Sequence, residues 1–315
     1  MGCEKMEKTM RKTSVVAILA LICCALWGSA FPAVKIGYEL FEIKMVGSQI
    51  LFAGYRFFFA GVLTFLLACI YEQRFVTLKK SSIPYVFAQG LLQTTVQYLF
   101  FYIGMANTTG AKGSVINASN GFVAIIVATM LIPAEKMTWR KALGCVVGFA
   151  GVIFINLSPG AWGSGFSLQG EGMVMLCSIA YGTSSVTLKL ISHREKPMTL
   201  TAYQLLFGGA VLTLLGIFAG GSITNFTVKS TVLLLYMALL STIAFSLWTV
   251  LLKYNPVSKV AIFGFSIPIF GVLLSGIFLG EEIFSIKNIL ALLCVCAGII
   301  VVNRESRSRE QIIAK

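Results

Sequence analysis

The chain contains ALWGSAFPAVKIG at residues 25–37 and, 154 residues later, IAYGTSSVTLKLI at residues 179–191. Each stretch has an aromatic residue followed by Gly, then small or β-branched residues, and a Lys seven positions after the Gly. Both lie inside long apolar runs, where a charged side chain is costly. The same unusual arrangement written twice predicts an internal repeat.

The composition is typical of a protein embedded in lipid. Hydrophobic residues make up 57% of the chain and charged residues only 12%, whereas soluble domains carry about 25% charged residues. The net charge of +13 raises the question of a nucleic-acid partner. The basic residues, however, lie between apolar runs and form no patch with interleaved aromatics, so we expect no nucleic-acid binding.

The chain has ten apolar runs of the length that crosses a bilayer, roughly 20 residues. They lie at residues 14–38, 46–70, 83–106, 112–132, 139–157, 169–191, 199–219, 230–253, 258–279 and 287–303. The connections are too short for a separate soluble domain. We therefore predict an all-α polytopic membrane protein with ten transmembrane helices. Its expected partners are the lipid bilayer and a small-molecule substrate, and the sequence allows either a monomer or a homodimer.

The basic residues also predict the orientation. Eighteen Lys and Arg residues lie in the tails and alternate connections that share one side, against four on the other. Because Lys and Arg accumulate in cytoplasmic loops, both termini are expected in the cytoplasm. The predicted location is the cell (plasma or inner) membrane, crossed many times.

The repeat extends along the whole chain. At an offset of 147, residues 91–156 align with residues 238–303, and Glu135 aligns with Glu282. The first run aligns with its counterpart at an offset of 154 and the second run at an offset of 148. Each copy has five spans, an odd number, so the second copy enters from the opposite face and the repeats are inverted. The predicted domains are a basic cytoplasmic tail (1–13), a first repeat (14–157), an outer linker (158–168), a second repeat (169–303) and a basic cytoplasmic tail (304–315). Inverted repeats suit alternating access, because corresponding helices of the two copies can form an inward gate and an outward gate around a site in the middle of the membrane.

Several stretches carry a family resemblance: WGSAFPAVKIG, YRFFFAGVL, IPIFGVLLSGIFLGEEI and ALLCVCAGIIVVN, the last two echoed in the first copy by VAIIVATMLIPAEKMT and ALGCVVGFAGVIFIN. With ten runs in this order, residues 14–303 closely resemble the EamA-like branch of the drug/metabolite transporter superfamily. One departure is PAE in the first copy, where the family has LGE. The resemblance implies two inverted five-helix repeats around a central cavity, through which members move small metabolites, often outward.

Polar side chains inside the runs predict a substrate cavity, because they usually face the interior of a helix bundle. Two sets each share one helix face: Gln89, Gln93 and Gln97 in the third run, and Ser114, Asn117 and Asn120 in the fourth. We predict that Gln93, Gln97, Asn117 and Asn120 line the cavity. Interhelical hydrogen bonds that join the bundle are the alternative interpretation.

Arg56 lies about ten residues into the second run, which places it near the middle of the membrane. Its counterpart in the second copy is the neutral Gln204, which is also a candidate for the cavity. An unpaired charge at that depth is expensive. Arg56 therefore either binds an anionic group of the substrate or anchors neighbouring helices.

Further candidates are aromatic, basic or proline residues. Trp27, Tyr98, Tyr181, Tyr203 and Trp248 are candidates to stack on a ligand, with packing against helices or lipid as the alternative. Lys35 and Lys189 either extend to the membrane interface or form the mouths of the cavity. Pro32 and Pro268 are expected to break helices near the cavity, as in many transporters. These two lysines and two prolines are the candidates for gates.

The acidic residues narrow the substrate class. The chain has no Asp, and no run has a Glu near its centre. Since a midplane carboxylate is the usual site for a cationic drug, we expect a neutral, zwitterionic or anionic metabolite such as an amino acid. The expected carrier is an alternating-access secondary transporter, with export as the expected direction. A facilitative channel-like permease and a multidrug exporter remain the alternatives.

We expect neither an enzyme nor a cofactor or metal site. The chain has one His, His193 in a connection, with no HExxH motif. The eight cysteines have no metal-ligand spacing, and seven lie inside apolar runs, where they are expected to pack as small apolar residues.

Overall fold

The computed structural model describes residues 9–132, 136–156, 166–255, 260, 262–282 and 286–313, and this part of the chain is helical without β-strands. Its α-helices are α1 (Thr13–Leu40), α2 (Val46–Glu72), α3 (Ile83–Gly90), α4 (Gln97–Ala106), α5 (Gly110–Asn117), α6 (Asn120–Leu131), α7 (Trp139–Asn156), α8 (Met173–Ile191), α9 (Pro197–Phe218), α10 (Val228–Tyr254), α11 (Ser266–Leu279) and α12 (Ile286–Ile313).

Apolar helices make up most of this structure. Among the described residues, six helical stretches are long and apolar enough to cross a membrane: Thr13–Leu40, Val46–Glu72, Gly110–Leu131, Leu168–Ile191, Pro197–Phe218 and Val228–Leu251. Shorter apolar helices cover Ser266–Leu279 and Asn288–Val301. Large apolar side chains such as Leu66, Ile70 and Val146 are exposed on the outer surface. This arrangement is that of a polytopic membrane protein, whose outer side chains face lipid.

Local sequence explains where several helices begin and end. Pro197 opens α9, where the missing N–H costs no hydrogen bond. Thr227, the residue before α10, and Ser230 in its first turn form a reciprocal capping box. Gln73 ends α2 in the left-handed conformation, with φ of 52°, and closes the helix in the way that glycine often does.

Two of the predicted runs are irregular helices. The third run is α3 and α4 joined by a π-helical turn, Leu91–Val96. In the fourth run α5 ends at Asn117 and α6 begins at Asn120. Between them the N–H of Ser119 donates to the carbonyl of Ile116, three residues back instead of four. Both irregularities adjoin polar residues that the sequence analysis selected.

The helices do not break at the two prolines. Pro32 lies inside α1, which runs without interruption from Thr13 to Leu40. Pro268 lies in the first turn of α11, where a proline is readily accommodated. The helix breaks expected at these positions are therefore absent, and the interruption lies between α5 and α6 instead.

Close helix contacts occur in related pairs. A Cβ atom built on Gly28 of α1 would lie 2.5 Å from Cβ of Phe270 in α11, and one on Gly182 of α8 would lie 2.8 Å from Cβ of Val123 in α6. The repeat offsets assign Gly182 to Gly28 and Val123 to Phe270. The two contacts are therefore made by corresponding residues, and the glycines in both stretches quoted at the outset permit close approach.

The contact between α2 and α9 is reciprocal in the same way. Gly61 of α2 packs against the backbone of Leu206 in α9, and Gly209 of α9 packs against the backbone of Phe58 in α2. The offset of 148 relates Gly61 to Gly209 and Phe58 to Leu206. The offset therefore exchanges the two contacts, as a twofold relation between the predicted repeats would.

A third reciprocal contact joins α7 and α12. A Cβ on Gly151 would lie 2.8 Å from the carbonyl oxygen of Ala291, and one on Gly298 would lie 2.5 Å from the carbonyl oxygen of Gly144. The offset of 147 relates Gly151 to Gly298 and Gly144 to Ala291. Glycine is required at both places because neither leaves room for a side chain.

Charged contacts join the connections at the two ends of the bundle. At one end Lys196 pairs with Glu72, with side chains 55% and 17% exposed, and the backbone N–H of Lys79 donates to the Glu195 carboxylate over 2.8 Å. At the other end Lys112 pairs with Glu171 over 2.9 Å, with side chains 21% and 6% exposed. The second ion pair is therefore better shielded than the first.

Candidate functional site

A cavity lies between helices of both predicted repeats. Its solvent-accessible volume is about 60 Å³, below the roughly 300–1,000 Å³ of pockets that enclose a drug-sized ligand, so a ligand of that size requires the walls to move apart. Its walls are formed by Trp27, Ala30, Phe31, Arg56, Gln97, Tyr98, Phe101, Asn117, Asn120, Tyr181, Phe245 and Ile267. These residues come from α1, α2, α4, α5, α6, α8, α10 and α11. None of these wall residues is acidic.

Seven of the residues predicted to contact substrate lie on this cavity. They are Trp27, Arg56, Gln97, Tyr98, Asn117, Asn120 and Tyr181. They belong to six helices, α1, α2, α4, α5, α6 and α8, which the bundle brings together. Their role in binding stays a prediction.

Arg56 is the only charged residue among these wall residues, and its side chain is 1% exposed. Its Nε donates to Oγ of Ser241 over 3.0 Å, and its Nη1 donates to the hydroxyl of Tyr102 over 3.3 Å. The guanidinium carbon lies 4.7 Å from the ring centroid of Phe57 and 5.8 Å from that of Tyr98. These neutral partners position the guanidinium group without neutralising its charge.

Three amide side chains complete the polar part of the wall. Oε1 of Gln97 is buried and has no hydrogen-bond donor among the described residues. Oδ1 of Asn117 accepts only a weak contact from the thiol of Cys177, at 3.6 Å. Asn120 opens α6 directly after the interruption of the fourth run. The amides therefore have hydrogen-bonding capacity left for a ligand.

The rest of the wall is largely aromatic. Phe31 meets Phe101 edge to face with ring centroids 5.4 Å apart, and Tyr98 meets Phe101 at 5.8 Å. Trp27 packs against Phe245 at 5.6 Å and against Trp248 at 5.0 Å. Such a wall favours a flat, apolar group in the ligand.

The other four substrate candidates lie away from the cavity wall. Oε1 of Gln93 accepts from Nε2 of Gln89 over 2.7 Å and from Nε2 of Gln204 over 3.2 Å, which makes a buried amide cluster beside the π turn. The hydroxyl of Tyr203 donates to the carbonyl of Val76. Trp248 reaches the cavity only through its contact with Trp27.

The two lysines of the repeated stretch have different surroundings. Nζ of Lys35 donates to the carbonyl of Thr108 over 2.6 Å and to that of Met105 over 3.3 Å. It thus contacts the carboxyl end of α4, where a cation is favoured by the helix dipole. Lys189 is exposed. Lys35 also borders a second cavity with Tyr38 and Asn107, so it stays a candidate for a cavity mouth.

A polar cluster near Lys35 was not singled out by the sequence analysis. Glu171 is 5% exposed and accepts from Thr108 Oγ1 over 2.8 Å, besides its ion pair with Lys112. Glu281 accepts from the N–H groups of Gly110 and Ala111, each over 2.7 Å. The sequence signal that could have identified Glu281 was its place in the motif LGEE, directly after a predicted helix.

The sequence analysis also missed five apolar wall residues: Ala30, Phe31, Phe101, Phe245 and Ile267. The repeat offset of 147 was a usable signal for two of them, since it assigns Phe245 to Tyr98 and Ile267 to Asn120. The offset of 154 similarly relates Trp27 to Tyr181. Three pairs of corresponding positions therefore meet at one cavity.

The chain belongs to the EamA-like transporter family, whose model matches residues 14–157 and again residues 168–304. Similar proteins include an uncharacterized transporter from Archaeoglobus fulgidus, 26% identical over 94% of this chain and the full length of that protein. The uncharacterized transporters YoaV and YvbV of Bacillus subtilis are 26% and 25% identical over 90% and 96% of this chain, and over 96% of their own lengths. Family and relatives indicate a membrane transporter.

A solved crystal structure has the same fold. It superposes with a TM-score of 0.70 at 16% sequence identity, covering 94% of this chain and 99% of that chain. At this identity the similarity concerns the fold alone.

Proposed function

We propose that this transporter is a secondary, alternating-access carrier that exports a small neutral, zwitterionic or anionic metabolite. In this proposal ten helices cross the membrane as two inverted repeats, residues 14–157 and 169–303, joined by the outer linker 158–168. The basic tails, residues 1–13 and 304–315, lie in the cytoplasm of a cell with the protein in its plasma or inner membrane. The cavity between the repeats is the substrate site.

The observation that carries the proposal is the reciprocity of helix contacts in the bundle that holds the cavity. Gly28 and Gly182, Gly61 and Gly209, and Gly151 and Gly298 each make contacts that the repeat offsets exchange. Corresponding positions of the two repeats also meet at the cavity wall. A site on a pseudo-twofold axis is what an inverted-repeat carrier uses for alternating access.

Contacts on both sides of the cavity support a carrier rather than an open pore. On one side the hydroxyl of Tyr38 donates to the carbonyl of Tyr102 over 2.5 Å, close to the contacts of Lys35. On the other side Trp27 packs against Trp248. A continuous polar path, as a channel requires, would have to displace these groups.

Counterflow in liposomes tests the proposal. Purified full-length protein is reconstituted in vesicles preloaded with one unlabelled compound, and entry of trace labelled compound is followed for amino acids, nucleosides, organic acids and tetraphenylphosphonium. We expect saturable, transient accumulation for at least one of the first three classes, and none in protein-free vesicles. Linear flux without counterflow would favour the channel-like permease, and preference for tetraphenylphosphonium would favour a multidrug exporter.

A further inference from the structure

We infer that the substrate is an organic monoanion with one carboxylate on a flat apolar body and no ammonium group, bound with its carboxylate on Arg56. This inference rests on the proposed function, since it names the substrate class of that cavity. It is narrower than the proposed function, which also admits neutral and zwitterionic compounds.

The first argument is the uncompensated charge of Arg56. No carboxylate lies within ion-pair distance of this guanidinium among the described residues, whose contacts with it are the hydroxyls of Ser241 and Tyr102 and the rings of Phe57 and Tyr98. A buried charge is strongly disfavoured unless it is paired. A monoanionic ligand supplies the missing partner.

The second argument is the donor geometry. A guanidinium has five N–H bonds. Ser241 and Tyr102 use one on Nε and one on Nη1, which leaves three, spread over Nη1 and Nη2, without an acceptor in the described part of the chain. The remaining pair of nitrogens is the fork that holds a carboxylate through two parallel hydrogen bonds.

The third argument separates a monoanion from an amino acid. The ammonium of a zwitterion carries a full charge that only a carboxylate would balance, and the described wall offers the neutral amide oxygens of Gln97 and Asn117 but no acidic residue. A zwitterion would also leave the cavity with the net charge of Arg56, whereas a monoanion brings it to zero. At low dielectric this difference favours the monoanion.

The fourth argument concerns the rest of the ligand. Phe31, Tyr98 and Phe101 form edge-to-face pairs on one wall, and Trp27 with Phe245 forms another. This lining suits an aromatic or similarly planar group. The unpaired Oε1 of Gln97 offers an acceptor for a hydroxyl or N–H on that group.

Four probes with the same benzyl group test the inference: phenylacetate, phenylacetamide, phenylalanine and phenethylamine, which are respectively anionic, neutral, zwitterionic and cationic. Binding to detergent-purified full-length protein is measured by calorimetry at pH 8, and counterflow is measured in parallel. We expect phenylacetate to bind at least about tenfold more tightly than phenylacetamide, because a charge-assisted bidentate pair is worth that factor or more.

Variants of Arg56 test whether this residue causes the preference for the anionic probe. Arg56→Gln should abolish the preference for phenylacetate over phenylacetamide, and Arg56→Lys should keep the preference but reduce it, since the charge stays and the fork is lost. Arg74→Gln is the matched control, because the same change is made at an exposed position. The ratio of the affinities for phenylacetate and phenylacetamide measures the preference even in a less stable variant, because the two ligands have nearly the same shape and lose affinity equally.

The outcomes separate this inference from the proposed function. Tighter binding of phenylacetamide or phenylalanine than of phenylacetate, or a preference that persists in Arg56→Gln, would overturn the inference. Counterflow of neutral or zwitterionic compounds alone would leave the carrier in place and reject the monoanion. Arg56-dependent binding of phenylacetate without counterflow of any compound would instead support the site and reject the carrier.

Discussion

Glu281 illustrates how a single side chain connects the two predicted repeats. It follows α11, yet both of its carboxylate oxygens accept hydrogen bonds from the N-terminus of α5 in the other repeat. The first N–H groups of a helix have no partner within the helix, and a carboxylate there also meets the positive end of the helix dipole. The contact therefore stabilises the helix end and holds α11 against α5.

Glu281→Ala is expected to lower the free energy of unfolding by about 1–2 kcal/mol, the usual cost of losing such a cap. The measurement is the midpoint of thermal unfolding of the purified protein in detergent. Glu282→Ala is the matched control, because this neighbouring residue is exposed and accepts from the Asn288 side chain through its backbone carbonyl, which the substitution keeps. Equal midpoints for the two variants would contradict this role of Glu281.

Asn117 and Gln93 were selected by the same sequence pattern but have different surroundings. Asn117 lies on the cavity wall, whereas Gln93 accepts from two buried amides. We expect Asn117→Ala to raise the KM for uptake by about fivefold with little change in stability, from the loss of one hydrogen bond worth roughly 1 kcal/mol.

Gln93→Ala is expected to act on stability instead. It leaves Nε2 of Gln204 without its acceptor in a buried site, at a cost of about 1–3 kcal/mol. The thermal midpoint of this variant should therefore fall while that of Asn117→Ala stays close to the parent. The reverse pattern would place Gln93 at the substrate and Asn117 in the structural framework.

At the scale of elements, the contact between α2 and α9 depends on glycine. Gly209 packs on the backbone of Phe58 so closely that a Cβ would overlap it. Backbone atoms cannot move aside as the end of a side chain can, so an added methyl group must separate the helices. The two helices are joined in the same way at Gly61.

Gly209→Ala is therefore expected to destabilise the protein by about 1–3 kcal/mol, the usual cost of overpacking. Thermal unfolding in detergent measures the effect. The matched control is Gly121→Ala in α6, where a new Cβ would have no neighbour within 4 Å and alanine favours the helix. A drop in the midpoint for Gly121→Ala as large as that for Gly209→Ala would contradict the packing argument.

The elements show where sequence periodicity is informative. Apolar runs predicted helices over α1, α2, α9 and α10, because a long apolar helix leaves an unmistakable composition. They did not predict the π turn Leu91–Val96 or the interruption between α5 and α6. Neither irregularity changes which residues are apolar, so hydropathy carries no signal for it. At Pro32 the sequence predicted a helix break that the structure lacks, because the surrounding bundle keeps α1 helical across the proline.

At the scale of the molecule, the proposed topology places Lys44 outside the cell and His193 in the cytoplasm. Both are exposed. We expect a cysteine in place of Lys44 to react with a membrane-impermeant maleimide in intact cells, and a cysteine in place of His193 to react only after permeabilisation. The parent chain provides the background from native cysteines. Labelling of the His193 variant in intact cells would reverse the proposed orientation.

The candidate site was only partly predictable, for a physical reason. Polar residues in an apolar run must face protein, so Arg56, Asn117 and Asn120 were identified by their cost in lipid. That rule does not distinguish a cavity wall from a buried hydrogen-bond cluster, which is why Gln93 and Gln204 were selected with them. Phe31 and Phe101 were missed because an aromatic side chain packs as favourably against lipid as against protein, so only the tertiary structure shows that these two face the cavity.

The unequal shielding of the two ends has a consequence for how the molecule responds to its surroundings. The pair of Lys196 and Glu72 is more exposed than that of Lys112 and Glu171, chiefly because Lys196 is half exposed. Salt weakens an ion pair exposed to water more than one that is covered. A rise in salt is therefore expected to loosen one end more than the other, and in the proposed carrier ionic strength would bias which end opens.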